Sequence, residues 1–199
     1  MYHAKQQGIN PMYTLVPFWF LPYKFFNSLF LGLSVGTIFI LYAPLEPSVY
    51  SLGGVVLAIG MLLVARLYHM ILTAKWFFRI SLFVEGVLLL AICYFLFKPY
   101  TYQTALVIYA GYQVTFVFGS YLVRVETLLL GKDTLLTQVD TLKQLGYLLG
   151  MAISYLFYKM LTYWGISDPQ KEVYILHFLL AAIEVFVIFL VIKSFKRVI

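Results

Sequence analysis

The sequence predicts an all-α membrane bundle of six transmembrane helices, and three observations carry that prediction. Of the 199 residues, 63% are apolar and only 11% charged, with a mean hydropathy of +0.92. A soluble domain of this size needs a charged surface, which this composition excludes. The apolar residues fall into six blocks of about 20 residues, the length that crosses a hydrocarbon core roughly 30 Å thick. Short turns bearing Pro, Gly or charge separate the blocks.

Residues 1–24 read as a polar start followed by an aromatic, proline-broken segment (11–23) that suits the headgroup level, where Trp and Tyr concentrate. Lys5 alone precedes Pro11, and Pro17 and Pro22 interrupt the next stretch. No cleavable signal peptide is therefore expected, and the first span is read as an uncleaved anchor. Span one is predicted over 25–42. Pro44, Glu46 and Pro47 make a turn, and span two follows over 49–72 with Ser48 as N-cap. Span three runs over 76–97 and stops before Lys98-Pro99. Span four covers 102–123. A polar segment follows, in which Gly131 ends one helix and Asp133 caps the next. Leu135, Val139, Leu142 and Leu145 recur at helical spacing, an amphipathic lead-in to span five over 145–164. Asp168-Pro169 is an N-cap with Pro at the first helical position, opening span six over 173–192. The six-helix domain is thus 25–193, and 194–199 is a basic tail.

The net charge of +6 follows the positive-inside bias of membrane proteins; no nucleic-acid partner is expected, since no nucleic-acid-binding motif accompanies it. An even number of spans puts both ends on one side. With the ends inside, the inner set is Lys5, Lys24, Arg66, Lys75, Arg79, Arg124, Lys132, Lys143, Lys193, Lys196 and Arg197, leaving Lys98, Lys159 and Lys171 outside. Both termini are expected in the cytoplasm, and the location expected is a bacterial inner membrane. Cys93 is the single cysteine, so no intrachain disulfide forms.

Gly32-Leu-Ser-Val-Gly36 matches a nucleophile elbow in letters, but Ser34 sits inside a span with no strand before it and no histidine in evident reach. The same residues, like Gly146-Tyr-Leu-Leu-Gly150, read better as close helix-packing faces. His3, His69 and His177 are scattered and lack metal-ligand spacing. No metal, cofactor or enzymatic chemistry is expected. Span four carries a stripe of Tyr102, Tyr109, Gln113, Phe116, Ser120 and Arg124 with Tyr112 beside it, and span one offers Asn27, Ser34 and Thr37. Polar groups in hydrocarbon need a partner or a wet cavity. Two readings follow: a substrate cavity lined by Asn27, Ser34, Thr37, Tyr109, Tyr112, Gln113 and Ser120, or helix-to-helix hydrogen bonds.

Glu85 and Glu184 fall near the middles of spans three and six. A charged carboxylate there costs roughly 2.5–3.5 kcal/mol on insertion scales. Each is a candidate for proton coupling or partner contact, against the alternative of a paired or neutral group locking a helix interface. Arg66, Arg79, Arg124 and Glu126 lie toward the inner ends of their spans and are expected to form an inner-face charge network.

This organisation resembles one six-helix half of a major facilitator superfamily transporter over most of its length. Gly32 and Gly36 in the first span, the Pro-bearing outer turn, Ser51-Leu-Gly-Gly54 in the second, and Arg124-Val-Glu-Thr-Leu-Leu-Leu130 leading to Leu145-Gly146 and Gly150 carry the resemblance. The family's loop motif, G-x-x-x-D-R-x-G-R-R, falls on Leu72-Thr-Ala-Lys-Trp-Phe-Phe-Arg79. Arg79 matches an arginine, Lys75 stands where the acid belongs, and the glycines are missing. The resemblance implies two inverted three-helix repeats, a cavity between the first and fourth helices, and third and sixth helices at the back, away from the substrate. It also implies a missing half. The expected function is movement of a small solute by alternating access as a homodimer or with another membrane subunit, in the lipid bilayer. The alternative is a non-transport subunit or assembly factor that uses the half as a docking platform.

Overall fold

The computed structural model describes residues 13–197. The predicted polar start and its Lys5 and His3 lie outside the described residues.

Among the described residues, six helices are long and apolar enough to cross a membrane, and they account for nearly all of the fold. Helix α1 spans Pro17–Ser34, so the first span begins well before residue 25. Pro17 occupies the first helical turn, where a missing N–H is harmless, and the Val16 carbonyl accepts from Trp19 and Phe20. Pro22 lies only one turn further in and is tolerated. Beyond α1, a 3₁₀ turn at Val35–Thr37 leads into α2, Ile38–Leu41. Ser34 Oγ donates to the Leu31 carbonyl at 3.0 Å and Thr37 Oγ1 to the Ser34 carbonyl at 2.7 Å. Such hydroxyl bonds back to the preceding turn bend a helix.

The second span is shorter than predicted. Helix α3 covers Pro47–Arg66, with Glu46 rather than Ser48 at the N-cap position and no side-chain cap bond, and a turn at Leu67 separates it from α4, Tyr68–Ile71. Tyr121 OH donates to the Ile71 carbonyl at 2.8 Å and fixes the end of that turn. Helix α5 spans Ala74–Phe97, with the Thr73 hydroxyl accepting from Trp76 N. Helix α6 spans Tyr102–Leu130, capped by Thr101 and ended by Gly131 in the left-handed region at φ 55°. It thus continues past residue 123, where charge suggested a stop; Glu126 is neutralised by lysines and Arg124 stacks over Tyr68. Helix α7, Asp133–Tyr163, joins the amphipathic lead-in and span five in one rod, with Lys132 rather than Asp133 at the cap. Helix α8, Pro169–Ser194, starts as predicted, with Asp168 Oδ1 accepting from Gln170 N at 3.0 Å.

The ends meet. Strand β1, Tyr13–Leu15, pairs antiparallel with β2, Phe195–Arg197, in the register Tyr13 to Arg197 and Leu15 to Phe195. Residues 195–197 are therefore a strand and not a free tail. Phe195 anchors it edge-on against Phe20 and Phe77.

Five short connections make consecutive spans antiparallel. The principal packing pairs are α1 with α7 and α8, α6 with α3 and α5, and α5 with α8. Exchanging the first three spans for the last three maps this set onto itself, the pattern that two inverted repeats produce. Helix α3 packs on α6 and buries only Val64. One apolar core, around Phe20, Phe77, Tyr121 and Val187, lies at the end where β1 and β2 pair; a second, around Leu33, Phe95, Ile108 and Leu176, fills the other end. The α1–α7 seam is the closest approach. A Cβ added at Gly32, Gly146 or Gly150 would strike backbone of the facing helix.

Candidate functional site

Helices α1 and α6 share almost no direct packing. The gap between them is a groove with a cavity of about 500 Å³, backed by α5 and flanked by α7. Tyr23, Lys24, Asn27, Ser28 and Leu31 of α1 form one wall at steps of three and four. Thr115, Phe116, Gly119, Leu122 and Val123 of α6 form the other. Lys143, Gln144 and Tyr147 of α7 close the side, and Val84, Glu85 and Leu88 of α5 make the floor. Glycine at 119 leaves room, since nothing lies within 4 Å of where its Cβ would be.

Two buried polar clusters border this groove. In the first, Lys24 Nζ and Lys143 Nζ each lie 2.5 Å from an oxygen of Glu126, and Lys143 also reaches Asp140 at 3.4 Å. Lys24 is only 7% exposed. Its ammonium sits over the rings of Tyr23, Phe20 and Phe77 at 5.0, 5.3 and 5.6 Å. Aromatic faces and a carboxylate together replace its lost water. The cluster pins α1, α6 and α7 at one end of the groove.

In the second, Glu85 Oε1 accepts from Tyr23 OH and from Asn27 Nδ2, both at 2.9 Å. Glu184 of α8 lies beside Glu85 across the α5–α8 contact. Both side chains are buried, at 2% and 0% exposure. Glu85 Oε2 and both oxygens of Glu184 receive no hydrogen bond from any donor among the described residues.

The predicted cavity residues scatter along the spans. Asn27 lies in the groove against Glu85. Ser34 and Thr37 are buried and bond their own backbone, with Ser34 facing Tyr112. Tyr112 borders a small gap between α1, α5 and α8 near His177. Tyr109 stacks edge-on with Tyr42 and Tyr50 at the far end and reaches the Tyr50 carbonyl at 3.4 Å. Burial pushes the Tyr42 phenol, in the turn beside this cluster, up. Gln113 holds a buried amide oxygen without a partner among the described residues. Ser120 lies on the outer side of α6 beside Arg124.

Two expectations need correction. The inner-face network does not join the arginines to Glu126. Arg66 is exposed, Arg79 stacks over Trp76 and Arg124 over Tyr68, at 5.5 and 5.4 Å, and the partners of Glu126 are Lys24 and Lys143. Glu85, placed at the back by the resemblance, instead reaches the groove floor, because α1 and α6 stand apart in front of α5. Sequence reasoning overlooked Tyr23, Lys24 and Lys143. Tyr23, Lys24, Asn27 and Leu31, recurring at steps of three and four, were the signal for the first two, and Pro22 hid it by suggesting a break.

A comparison with family models, with curated proteins and with solved structures finds no match.

Proposed function

We propose that the chain is a half-size, transporter-like membrane protein that moves a small solute by alternating access, a second copy or another membrane subunit supplying the missing half. One observation carries this reading: the groove between α1 and α6, largely apolar in its lining, with a few polar groups, among them Lys24, Asn27 and Thr115 on its walls and Glu85 on its floor. Such a mixture holds a small solute by its apolar body while a few polar groups orient it. The self-mapping packing pattern supports rocking of whole units about a fixed site. The reading assigns no enzymatic chemistry and no cofactor. The basic bias of the inner loops supports a bacterial inner membrane with both ends in the cytoplasm.

A second reading, a docking subunit, draws on α3. That helix leans chiefly on α6 and presents Leu52, Val55, Val56, Ile59, Leu62 and Leu63 outward. These side chains suit either lipid or a partner's helix.

The test is a proteoliposome uptake screen with the purified chain, paired with its mass in mild detergent. Transport requires a dimer or a heteromer and uptake that falls at least tenfold with Asn27→Ala. A strict monomer with no uptake overturns the proposal. A stoichiometric membrane partner without uptake moves the assignment to the docking reading.

A further inference from the structure

The second polar cluster has a missing component. Three of the four carboxyl oxygens of Glu85 and Glu184 are buried without a donor. Two ionised carboxylates facing each other in hydrocarbon repel strongly, whereas one proton between them turns the repulsion into a hydrogen bond. The neighbouring cluster does not supply the missing charge: Lys24 and Glu126 form a neutral buried pair, and Lys143, partly exposed, is also met by Asp140. The two donors on Glu85 Oε1, Tyr23 OH and Asn27 Nδ2, hold one carboxylate of the pair in its charged form, so one proton is enough to remove the repulsion. The other titratable groups facing the pair are Tyr23, which bonds Glu85, and Tyr112, on the side of Glu184. His177 lies two turns along α8, about 10 Å away, and its Nδ1 is bonded to the Val173 carbonyl.

We propose that Glu85 and Glu184 bind one shared, exchangeable proton at the floor of the groove, and that this proton is the coupling ion of transport. The proton site stands on the geometry alone; the coupling rests on the transport reading. Release breaks one carboxyl O–H bond. The electron pair stays on the carboxylate, and the proton passes to solvent in the groove, which Glu85 lines. The nearest cation able to answer the new charge is Lys24, whose ammonium lies 5.0 Å from the ring of the tyrosine that bonds Glu85. Drawing Lys24 toward Glu85 weakens its pair with Glu126. Lys24 stands on α1 and Glu126 on α6, so proton release loosens the two groove walls and proton binding tightens them.

The pair is tested without any solute. Dicyclohexylcarbodiimide reacts with protonated carboxyls in apolar surroundings, and mass spectrometry locates the adduct. At neutral pH in mild detergent, one adduct per chain is expected on Glu85, absent in Glu85→Gln. Glu184→Gln should lower the Glu85 adduct several-fold, because the amide can donate to a charged Glu85 and the shared proton is no longer needed. Tyr23→Phe removes a donor to the carboxylate and should leave the adduct equal or greater, which separates loss of the proton from loss of fold. No adduct in the unaltered chain, or an equal adduct in Glu184→Gln, overturns the proton site. In proteoliposomes, an imposed pH gradient should drive uptake, and Glu85→Gln should make uptake indifferent to the gradient. Gradient-driven uptake unchanged by Glu85→Gln overturns the coupling alone. The expected adducts without any uptake sink the transport reading and the coupling with it, while the proton pair stands.

Discussion

A single methyl group at Gly150 tests the α1–α7 seam. The Cβ of Gly150→Ala would lie 2.9 Å from Leu33 N and 3.0 Å from Gly32 Cα, and closer still to the Leu29 carbonyl. Ordinary contact needs about 3.4–4 Å, and every obstacle is backbone, which cannot rotate away as a side chain can. The two helices must therefore separate by about 0.5–1 Å along a seam that also holds Gly32 and Gly146. Overpacking of this kind costs about 1–3 kcal/mol. Replacing Gly by Ala in a helix returns about 0.5–1 kcal/mol of propensity. The net expectation is destabilisation by about 1–2 kcal/mol. Gly54 of α3 is the control: nothing lies within 4 Å of its added Cβ, so Gly54→Ala should stabilise by up to about 0.5–1 kcal/mol. The measurement is equilibrium unfolding in mixed micelles, titrated with a denaturing detergent and followed by helical circular dichroism. The two substitutions should shift the midpoint in opposite directions, and Gly146→Ala should follow Gly150→Ala. Equal shifts for Gly150→Ala and Gly54→Ala would refute the close seam. The double variant at 146 and 150 should lose less than the sum, since helices already parted admit a second methyl cheaply.

Three further outcomes follow from the structure. Glu126→Gln leaves Lys24 buried without its anion and should destabilise by about 3–5 kcal/mol; adding Lys24→Met should recover much of that loss in the same unfolding titration, because Lys143 is partly exposed and keeps Asp140. Phe195→Ala removes the anchor of the terminal strand pair and should cost about 3–5 kcal/mol, with hydrogen exchange rising at Val16 N, whose bond to the Ser194 carbonyl holds the junction. Asp168→Ala deletes the cap of α8 and should cost about 0.5–2 kcal/mol, with faster exchange confined to the first turn after Pro169.

How much of this was legible depended on whether a signal was local. Hydropathy blocks located all six spans, and the caps at Asp168 and Gly131 behaved as their local chemistry dictates. Boundaries failed where tertiary partners decided them. Pro22 looked like a break, yet one lost hydrogen bond near a helix start is outweighed by packing of Phe20 and Tyr23. Arg124 and Glu126 looked like a helix end, yet Lys24 neutralises Glu126 from a distant part of the chain. The strand pair of 13–15 with 195–197 could not be foreseen, because no hydropathy pattern links segments that far apart. For the groove, Asn27 and Glu85 were each visible as costly polar residues in hydrocarbon; that they bond one another was not, since it depends on the relative rotation of α1 and α5.

The position of Glu85 and Glu184 follows from the topology. In the self-mapping packing pattern, α5 and α8 correspond to one another and also touch. Two antiparallel helices that correspond and touch must have the exchange axis running between them, and residues near their middles meet there. A carboxylate near the middle of the third span therefore finds its counterpart in the sixth without any further device. The same arrangement leaves α1 and α6, which also correspond, standing apart in front of that axis, so Glu85 reaches the floor of the gap between them with Glu184 fully buried behind it. Two features that looked unrelated in the sequence, intramembrane acids on spans three and six and polar residues on spans one and four, thus belong to one site. Moving Glu184 alone would test this dependence on position. In Glu184→Gln/Val187→Glu the acid lies about one turn further along α8 and away from the axis. If location on the axis decides the pairing, the carbodiimide adduct on Glu85 should stay as low as in Glu184→Gln. An adduct restored to the unaltered level would show that any nearby acid on α8 suffices and would refute the dependence on position.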